Sequence, residues 1–442
     1  MENMNRHRMY YKSLLWGIIP IPKGITHLSI DYKIKPGYIP NSVTHLEITI
    51  QDDSLFVPGL IPDSVIYLKI NTNSILYPSI IPKSVRYLYL DTSRIDLIKI
   101  IPKFVTHLTF DDRFDQEIEP GTIPNSITHL EFGDNFNQSL KPGVIPDSVT
   151  HLNLGYIFNQ ILEAGSIPHS VVHLNMGDSF NQTLKPGDIP NSVTHLKFGY
   201  CFNQPLKPGD IPDSVTHLTF GFSFNQSLDG VIPESVTHLT FGFSFNQSLE
   251  GIISKSVTHL TFGDMYVYPL KGMIPDSVTH LVFGHFYNYS LAKTIPNSVT
   301  HLQVNQAVTP GDIPNSVTHL TFGDYYDLPL KLGDIPNSVS HLIFGHAFYY
   351  KLKKQDVPDS VIYLEYKKRG LLQYYYSFDD LLENISDSVF VKLSKKYNNK
   401  WTQRDCKYFT DQEMYIKIFL SRLGFGILEN VPIELLFYLL EY

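Results

Sequence analysis

Cysteine is nearly absent from this chain. Cys201 and Cys406 are the only two among 442 residues, and they lie far apart in sequence. A secreted protein of this length would more often carry several disulfides, so a reducing, cytoplasmic compartment is expected. Positive charge is also scarce: 35 Lys and Arg stand against 43 Asp and Glu, a formal net charge of −8. Phosphate backbones and anionic lipid both call for a basic face, so neither a nucleic-acid nor a membrane partner is expected. No apolar run approaches the roughly 18 residues a membrane helix needs. The opening "MENMNRHRMYYKSLLWGIIPIPK" sets basic residues before a short apolar run. That run passes directly into Ile21-Pro22 without a small-residue cleavage site, so it is read as part of the mature chain. A Walker loop, a GxGxxG turn, an HExxH helix and a nucleophile–base pair are all missing. No enzyme is therefore expected, and no catalytic residue, metal ligand or cofactor is assigned.

What is present is repetition. "IPDSVTHLTFGFSFNQSLDG" and "IPESVTHLTFGFSFNQSLEG" follow one another from Ile211 to Gly251. Aligned on the Ile-Pro step, seventeen units run from Pro22 to Pro358, with Ser254 in the proline's place once and a spacing of mostly 21 or 22 residues. Counted from that proline, +3 is Val or Ile and +6 is Leu in every unit. Position +8 is large and apolar, usually Phe, and +2 is Ser in all units but those with Gly24 and Phe104. Position +5 is His in fourteen units and Tyr in three, at Tyr67, Tyr87 and Tyr363.

This spacing predicts one short strand per unit. On an extended strand +6 and +8 share one face and +5 and +7 the other. Gly at +9, as at Gly133 and Gly263, ends the strand, and the leg "FNQxLKPG" returns the chain through turn-forming residues. One unit alone buries little, whereas stacked units bury a continuous column of Val, Leu and Phe. The fold expected is mainly β: a solenoid of about 17 coils with a parallel sheet and a small α-helical C-terminal region. The domains expected are an N-terminal cap over 1–20, the solenoid over 21–366, and a helical cap or small domain over 367–442.

The V-x-x-L-x-F strand resembles the leucine-rich repeat, and the Phe-Asn plus Ile-Pro signature resembles more closely the FNIP repeat, as at Phe136-Asn137 and Ile145-Pro146. The resemblance implies a leucine-rich-repeat-like binding surface without catalytic residues. It also implies a possible F-box partner segment in the same chain. The last twelve residues, Val431–Tyr442, match the opening of an F-box at Pro432, Glu434, Leu435, Leu436, Leu439 and Tyr442. The chain stops there, well short of a whole F-box. The competing reading is an amphipathic helix that caps the array. The function expected is a monomeric, non-enzymatic protein-interaction scaffold, with a substrate-recruiting adaptor of a ubiquitin-ligase assembly as its specific form. The alternative is a structural or metal- or pH-responsive histidine-ladder protein.

The histidine column is the candidate binding face: His129, His151, His173, His195, His217, His238, His259 and His280. It should form one row with neighbours about 5 Å apart, facing away from the core. Three roles compete for it: a structural stack, a recognition platform whose specificity comes from the varied +7 residues, and a transition-metal site. Imidazoliums that close repel, so the column should stay uncharged at neutral pH. The asparagines at +13, from Asn137 to Asn246 and again at Asn288, should bond backbone groups that the return leg leaves unpaired. The unit from Pro296 to Ile313 lacks the Phe-Asn-Gln leg and has Asn305 at +9, which makes it the expected weak point of the array.

Overall fold

The computed structural model describes residues 8–10, 21–22, 24–31, 35–50, 58–72, 80–91, 101–348, 350, 352, 356–368 and 390–395. The chain divides into two compact units, Met1–Tyr268 and Pro269–Tyr442. Each is a parallel β-solenoid. Among the described residues the first unit holds thirteen strands, from Arg8–Tyr10 to His259–Thr261, and the second holds six, from His280–Val282 to Phe390–Lys395. No helix occurs among the described residues. Within each unit every strand pairs in parallel with the next, and +5 lies opposite +5: His129 opposite His151 and His217 opposite His238 in the first unit, His280 opposite His301 in the second.

Two strands extend these ladders past the expected bounds of the repeat. Arg8–Tyr10 pairs with His27–Ser29 inside the segment expected to be a cap. Phe390–Lys395, expected in a helical region, is instead a strand paired with Tyr363–Lys368. Its sequence, Phe-Val-Lys-Leu-Ser-Lys, alternates apolar and polar residues from Val391 on, and that period of two belongs to a strand. The remaining helical expectations between 369 and 442, including the F-box-like Val431–Tyr442, lie outside the described residues.

The core follows from the repeat. Val or Ile at +3 and Leu at +6 are buried in every coil, as with Val215 and Leu218 at 0% and 1% exposure. Two aromatic columns pack behind them. Phe at +8 stacks on the ring at +12 of its own coil, 4.1 Å apart for Phe132 and Phe136 and 4.3 Å for Phe220 and Phe224. Each +12 ring then lies about one rung from the next, as Phe136 lies 6.2 Å from Phe158. Burying each such side chain contributes about 1.5–3 kcal/mol.

Each turn is fixed by hydrogen bonds that the repeat residues supply. The Val215 N–H donates to the Pro212 carbonyl at 3.1 Å, which closes a β-turn with Asp213 and Ser214 at its centre. Ser214 Oγ then donates to the Val193 carbonyl of the preceding coil at 2.7 Å, and Ser148, Ser170, Ser192 and Ser338 repeat that bond. On the return leg Asn203 Oδ1 accepts the Asn225 N–H at 2.9 Å and Gln226 Nε2 at 3.1 Å. The same pair of bonds links Asn137, Asn159, Asn181 and Asn225 to the coils that follow them. The asparagines thus saturate backbone groups that no strand reaches.

Glycine at +9 has a stronger reason than ending a strand. A Cβ on Gly221 would lie 1.6 Å from the Gly199 carbonyl oxygen, and one on Gly242 would lie 1.7 Å from that of Gly221. The backbones of successive coils touch here, so only hydrogen fits.

The short coil within the second unit keeps its place in the sheet: His301–Val304 pairs in register with the strands at His280 and His319. Val308 stands where its neighbours have Tyr287 and Tyr326, and it is buried. Asn305 replaces the +9 glycine and donates from Nδ2 to the Phe283 carbonyl at 3.0 Å. The amide nitrogen and oxygen of Gln306 are both buried without a hydrogen-bond partner among the described residues.

Candidate functional site

The outward face of the first unit's sheet carries two adjacent columns, +5 and +7. The histidine rings stack along the array. Centroids lie 4.1 Å apart for His129 and His151, 4.2 Å for His151 and His173, and 4.1 Å for His195 and His217, with planes within 26° of one another. The row continues through His238 and His259 at 4.0 Å spacings. His280 begins the corresponding row of the second unit, followed by His301, His319 and His341 at 4.1 to 4.3 Å. Every histidine expected on the binding face is therefore in a row, half-buried between its neighbours.

The residue at +4 positions the ring. Thr128 Oγ1 lies 3.0 Å from His129 Nδ1, and Thr150, Thr194 and Thr216 lie 2.9 Å from the Nδ1 atoms of His151, His195 and His217. Ser340 does the same for His341. Each hydroxyl also reaches the +4 carbonyl of the preceding coil, as Thr150 Oγ1 reaches Thr128 O at 3.1 Å. The sequence carries a signal for this pairing. Thirteen of the fourteen +5 histidines follow Thr or Ser, with Val172 before His173 the exception, and all three tyrosines follow Ile66, Arg86 or Ile362. The hydroxyl goes with the imidazole and disappears with it.

Burial, and after it the neighbouring imidazoles, hold His129, His151, His195 and His217 below the ordinary histidine pKa. The same two causes lower His301 and His319. A desolvated ring between like rings is harder to charge.

The first unit's face is hollowed into a groove of about 630 Å3, lined from Tyr67 to Thr219 by the +5 and +7 columns. His107, His129, His151, His173, His195 and His217 form one wall. His238 and His259 share the row but not the groove lining. The +7 side chains in the groove are Tyr89, Thr109, Glu131, Asn153, Asn175, Lys197 and Thr219. Glu131 is exposed and accepts a bond from Asn153 Nδ2 at 3.0 Å, and Lys197 is exposed three rungs along. At the groove's start Asp111 Oδ2 accepts from Tyr89 at 3.0 Å, and Arg113 pairs with both Asp111 and Asp91. Among the described residues no three His, Cys, Asp or Glu side chains converge as a metal centre would require.

The model of the FNIP repeat matches in ten stretches, most of them overlapping, from residue 97 to residue 367. The chain belongs to the FNIP repeat family. Among solved structures it is similar to the circular leucine-rich-repeat protein CroV588, at 27% identity over 85% of this chain and 77% of that one, with a TM-score of 0.49. It is also similar to the leucine-rich repeat-containing protein LegL7 from Legionella pneumophila, at 14% identity over 88% of this chain and 97% of that one, with a TM-score of 0.22. No curated protein matches the chain. As an FNIP repeat chain it is a repeat scaffold built as a parallel β-solenoid.

Proposed function

We propose that this FNIP repeat chain is a non-enzymatic protein-interaction scaffold, and that the groove of the first unit is its binding face. One observation carries the reading: a constant wall of stacked rings runs beside a +7 column that varies in charge, size and polarity along the groove, from Tyr89 through Glu131 and the paired Asn153 and Asn175 to Lys197. The constant column supplies a pre-ordered surface, and the variable one supplies discrimination. The scarcity of cysteine supports a reducing, cytoplasmic setting. The net charge of −8 favours a protein partner over nucleic acid or anionic lipid. The repeat needs no second copy to bury its core, which supports a monomer. The specific role we favour is recruitment of a substrate to a ubiquitin-ligase assembly; the F-box-like Val431–Tyr442 supports it through sequence alone.

Affinity capture from the native cell, run in parallel with the full chain and with its Glu131→Lys, Asn153→Lys double variant, tests both levels. Both substitutions sit at the outward +7 position, where they leave the core intact. The scaffold reading expects at least one protein recovered by the wild type and lost by the variant. Identical recoveries by the two chains would remove the groove from the reading. Ubiquitin-ligase subunits that bind both chains equally would support the adaptor role, since they would engage the C-terminal segment.

A further inference from the structure

The bond between threonine and histidine decides where each imidazole carries its proton. Thr150 Oγ1 has a single hydrogen and two neighbours, the Thr128 carbonyl at 3.1 Å and His151 Nδ1 at 2.9 Å. The Thr128 carbonyl already accepts the Thr150 and His151 N–H groups at 2.8 and 3.1 Å. When the hydroxyl donates to that carbonyl as well, so that two oxygen lone pairs do not face each other, His151 donates from Nδ1. The same geometry holds at Thr128 with His129 and at Thr216 with His217. A neutral ring protonated at Nδ1 leaves Nε2, its outermost atom, with a bare lone pair. At His129, His151, His195 and His217 no group of the described chain donates to that atom.

We propose that the groove of the first unit is a row of uncharged hydrogen-bond acceptors, held in that state by the +4 hydroxyls. Its occupant is a segment of a partner protein rich in side-chain donors and anchored by an arginine at Glu131. This inference rests on the binding-scaffold reading and names the chemistry of the partner. The remaining polar lining agrees with it. Glu131 is an exposed carboxylate with lone pairs to spare beside its bond from Asn153, and a guanidinium fits a carboxylate in two-point fashion. The amide oxygens of Asn153 and Asn175 accept the Gly155 and Gly177 N–H groups at 3.2 and 3.4 Å and each keep a second lone pair. The exposed Lys197, the one lysine or arginine among the described lining residues, lies three rungs from Glu131, so an occupant with its arginine at Glu131 keeps that charge away from the lysine. Carboxylate-rich segments would meet lone pairs along the wall and be excluded. His173, behind Val172, lacks the hydroxyl and serves as an internal control.

The test begins with nitrogen NMR of the wild-type full chain labelled with 15N-histidine at pH 7.5, which distinguishes a protonated ring nitrogen from a bare one. The expected result is the Nδ1–H form at His129, His151, His195 and His217, with both tautomers at His173. Predominance of the Nε2–H form in the row would overturn the proposal. The second step measures fluorescence anisotropy with labelled nona-arginine and nona-glutamate peptides. Nona-arginine should bind and nona-glutamate should not. His129→Phe, His151→Phe and His195→Phe combined keep the stack but remove three acceptors, and should weaken nona-arginine binding tenfold or more. Glu131→Gln, an exposed change that leaves folding alone, should weaken it severalfold. Unchanged binding by both variants would mean that the chain's overall negative charge, not the groove, attracts the peptide, and would overturn the assignment. A groove-dependent partner captured from cells through an acidic segment would sink this inference while leaving the scaffold standing. A confirmed acceptor row with no groove-dependent partner would do the reverse.

Discussion

The coils between Pro190 and Gly251 in the first unit and the coil from Pro296 to Ile313 in the second carry the same kind of strand on different return legs. In both, +5 pairs with +5 in register, and Val +3 and Leu +6 are fully buried. Behind the sheet they diverge. The long coils have Phe202, Phe224 and Phe245 stacked at 5.9 and 6.2 Å, a glycine at each backbone contact, and an asparagine–glutamine bond set at every step. The short coil has Val308 in the ring column, Asn305 at the contact, and a buried Gln306 amide without a hydrogen-bond partner among the described residues. A coil can therefore lose its return leg without losing its place in the sheet. The strand face is the constant part of the array, which is why a binding surface can run along it. The return face is where coils differ in strength.

The largest expected effect comes from the glycine contacts. Gly221→Ala would press a methyl group to 1.6 Å from the backbone oxygen of Gly199, where nothing flexible can yield. Overpacking of this kind should cost about 3 kcal/mol or more, read as a lower urea midpoint. Gly323→Ala meets the Asn305 side chain at 2.0 Å instead, and that amide can swing aside. Its loss should be roughly 1 kcal/mol, the worth of the Asn305 bond to Phe283. Equal losses at the two sites would erase the distinction drawn between the coils.

Next in size is the amide ladder. Asn203→Ala removes the acceptor shared by the Asn225 N–H and Gln226 Nε2. Leaving such groups without a partner costs about 1–3 kcal/mol. Gln306→Leu in the short coil should cost nothing or even stabilise, because its amide has no partner to lose. Urea unfolding of the two variants side by side makes the comparison, and a substantial loss from Gln306→Leu would show that the short coil uses an amide bond after all.

The smallest and broadest effect is pH dependence. Burial and neighbouring rings lower the pKa of His129, His151, His195 and His217 in the folded chain. The unfolded chain, at the ordinary value near 6.5, then binds more protons than the folded one in the window below that value. Their contribution is present above pH 6.5 and is lost as pH falls through the lowered values. The urea midpoint should therefore drop between pH 7.5 and pH 5.5. The drop should shrink when His129, His151 and His195 are replaced together by Phe. A drop of the same size in that variant would mean that these three rings contribute nothing to it.

Much of this was legible in the sequence because the repeat states each rule many times over. Leu at +6 and Phe at +8 set the strand's inner face, and His at +5 follows on the outer one. The asparagine column announced its role by sitting in a leg with no strand. Three features were not legible in that way. Gly at +9 reads as a strand end because its true constraint, the carbonyl of the coil before, lies 22 residues away in sequence at Gly199 and Gly221. The pairing of threonine with histidine was present in the pattern of exceptions at Ile66, Arg86, Val172 and Ile362, and only the 2.9 Å contact gives it meaning. The strand Phe390–Lys395 has Val391 opposite the +6 Leu364 and no Ile-Pro step before it, so its alternation was lost in a segment with scattered helical spacing.

Hydrogen exchange on the intact chain tests most directly whether the return leg, rather than the sheet, sets the local strength of the array. The amides of Leu302–Asp312 should lose protection before those of Leu218–Gly230, because only the second set is backed by an unbroken ring column and amide ladder. Equal protection in the two segments, or earlier exchange in Leu218–Gly230, would contradict the account.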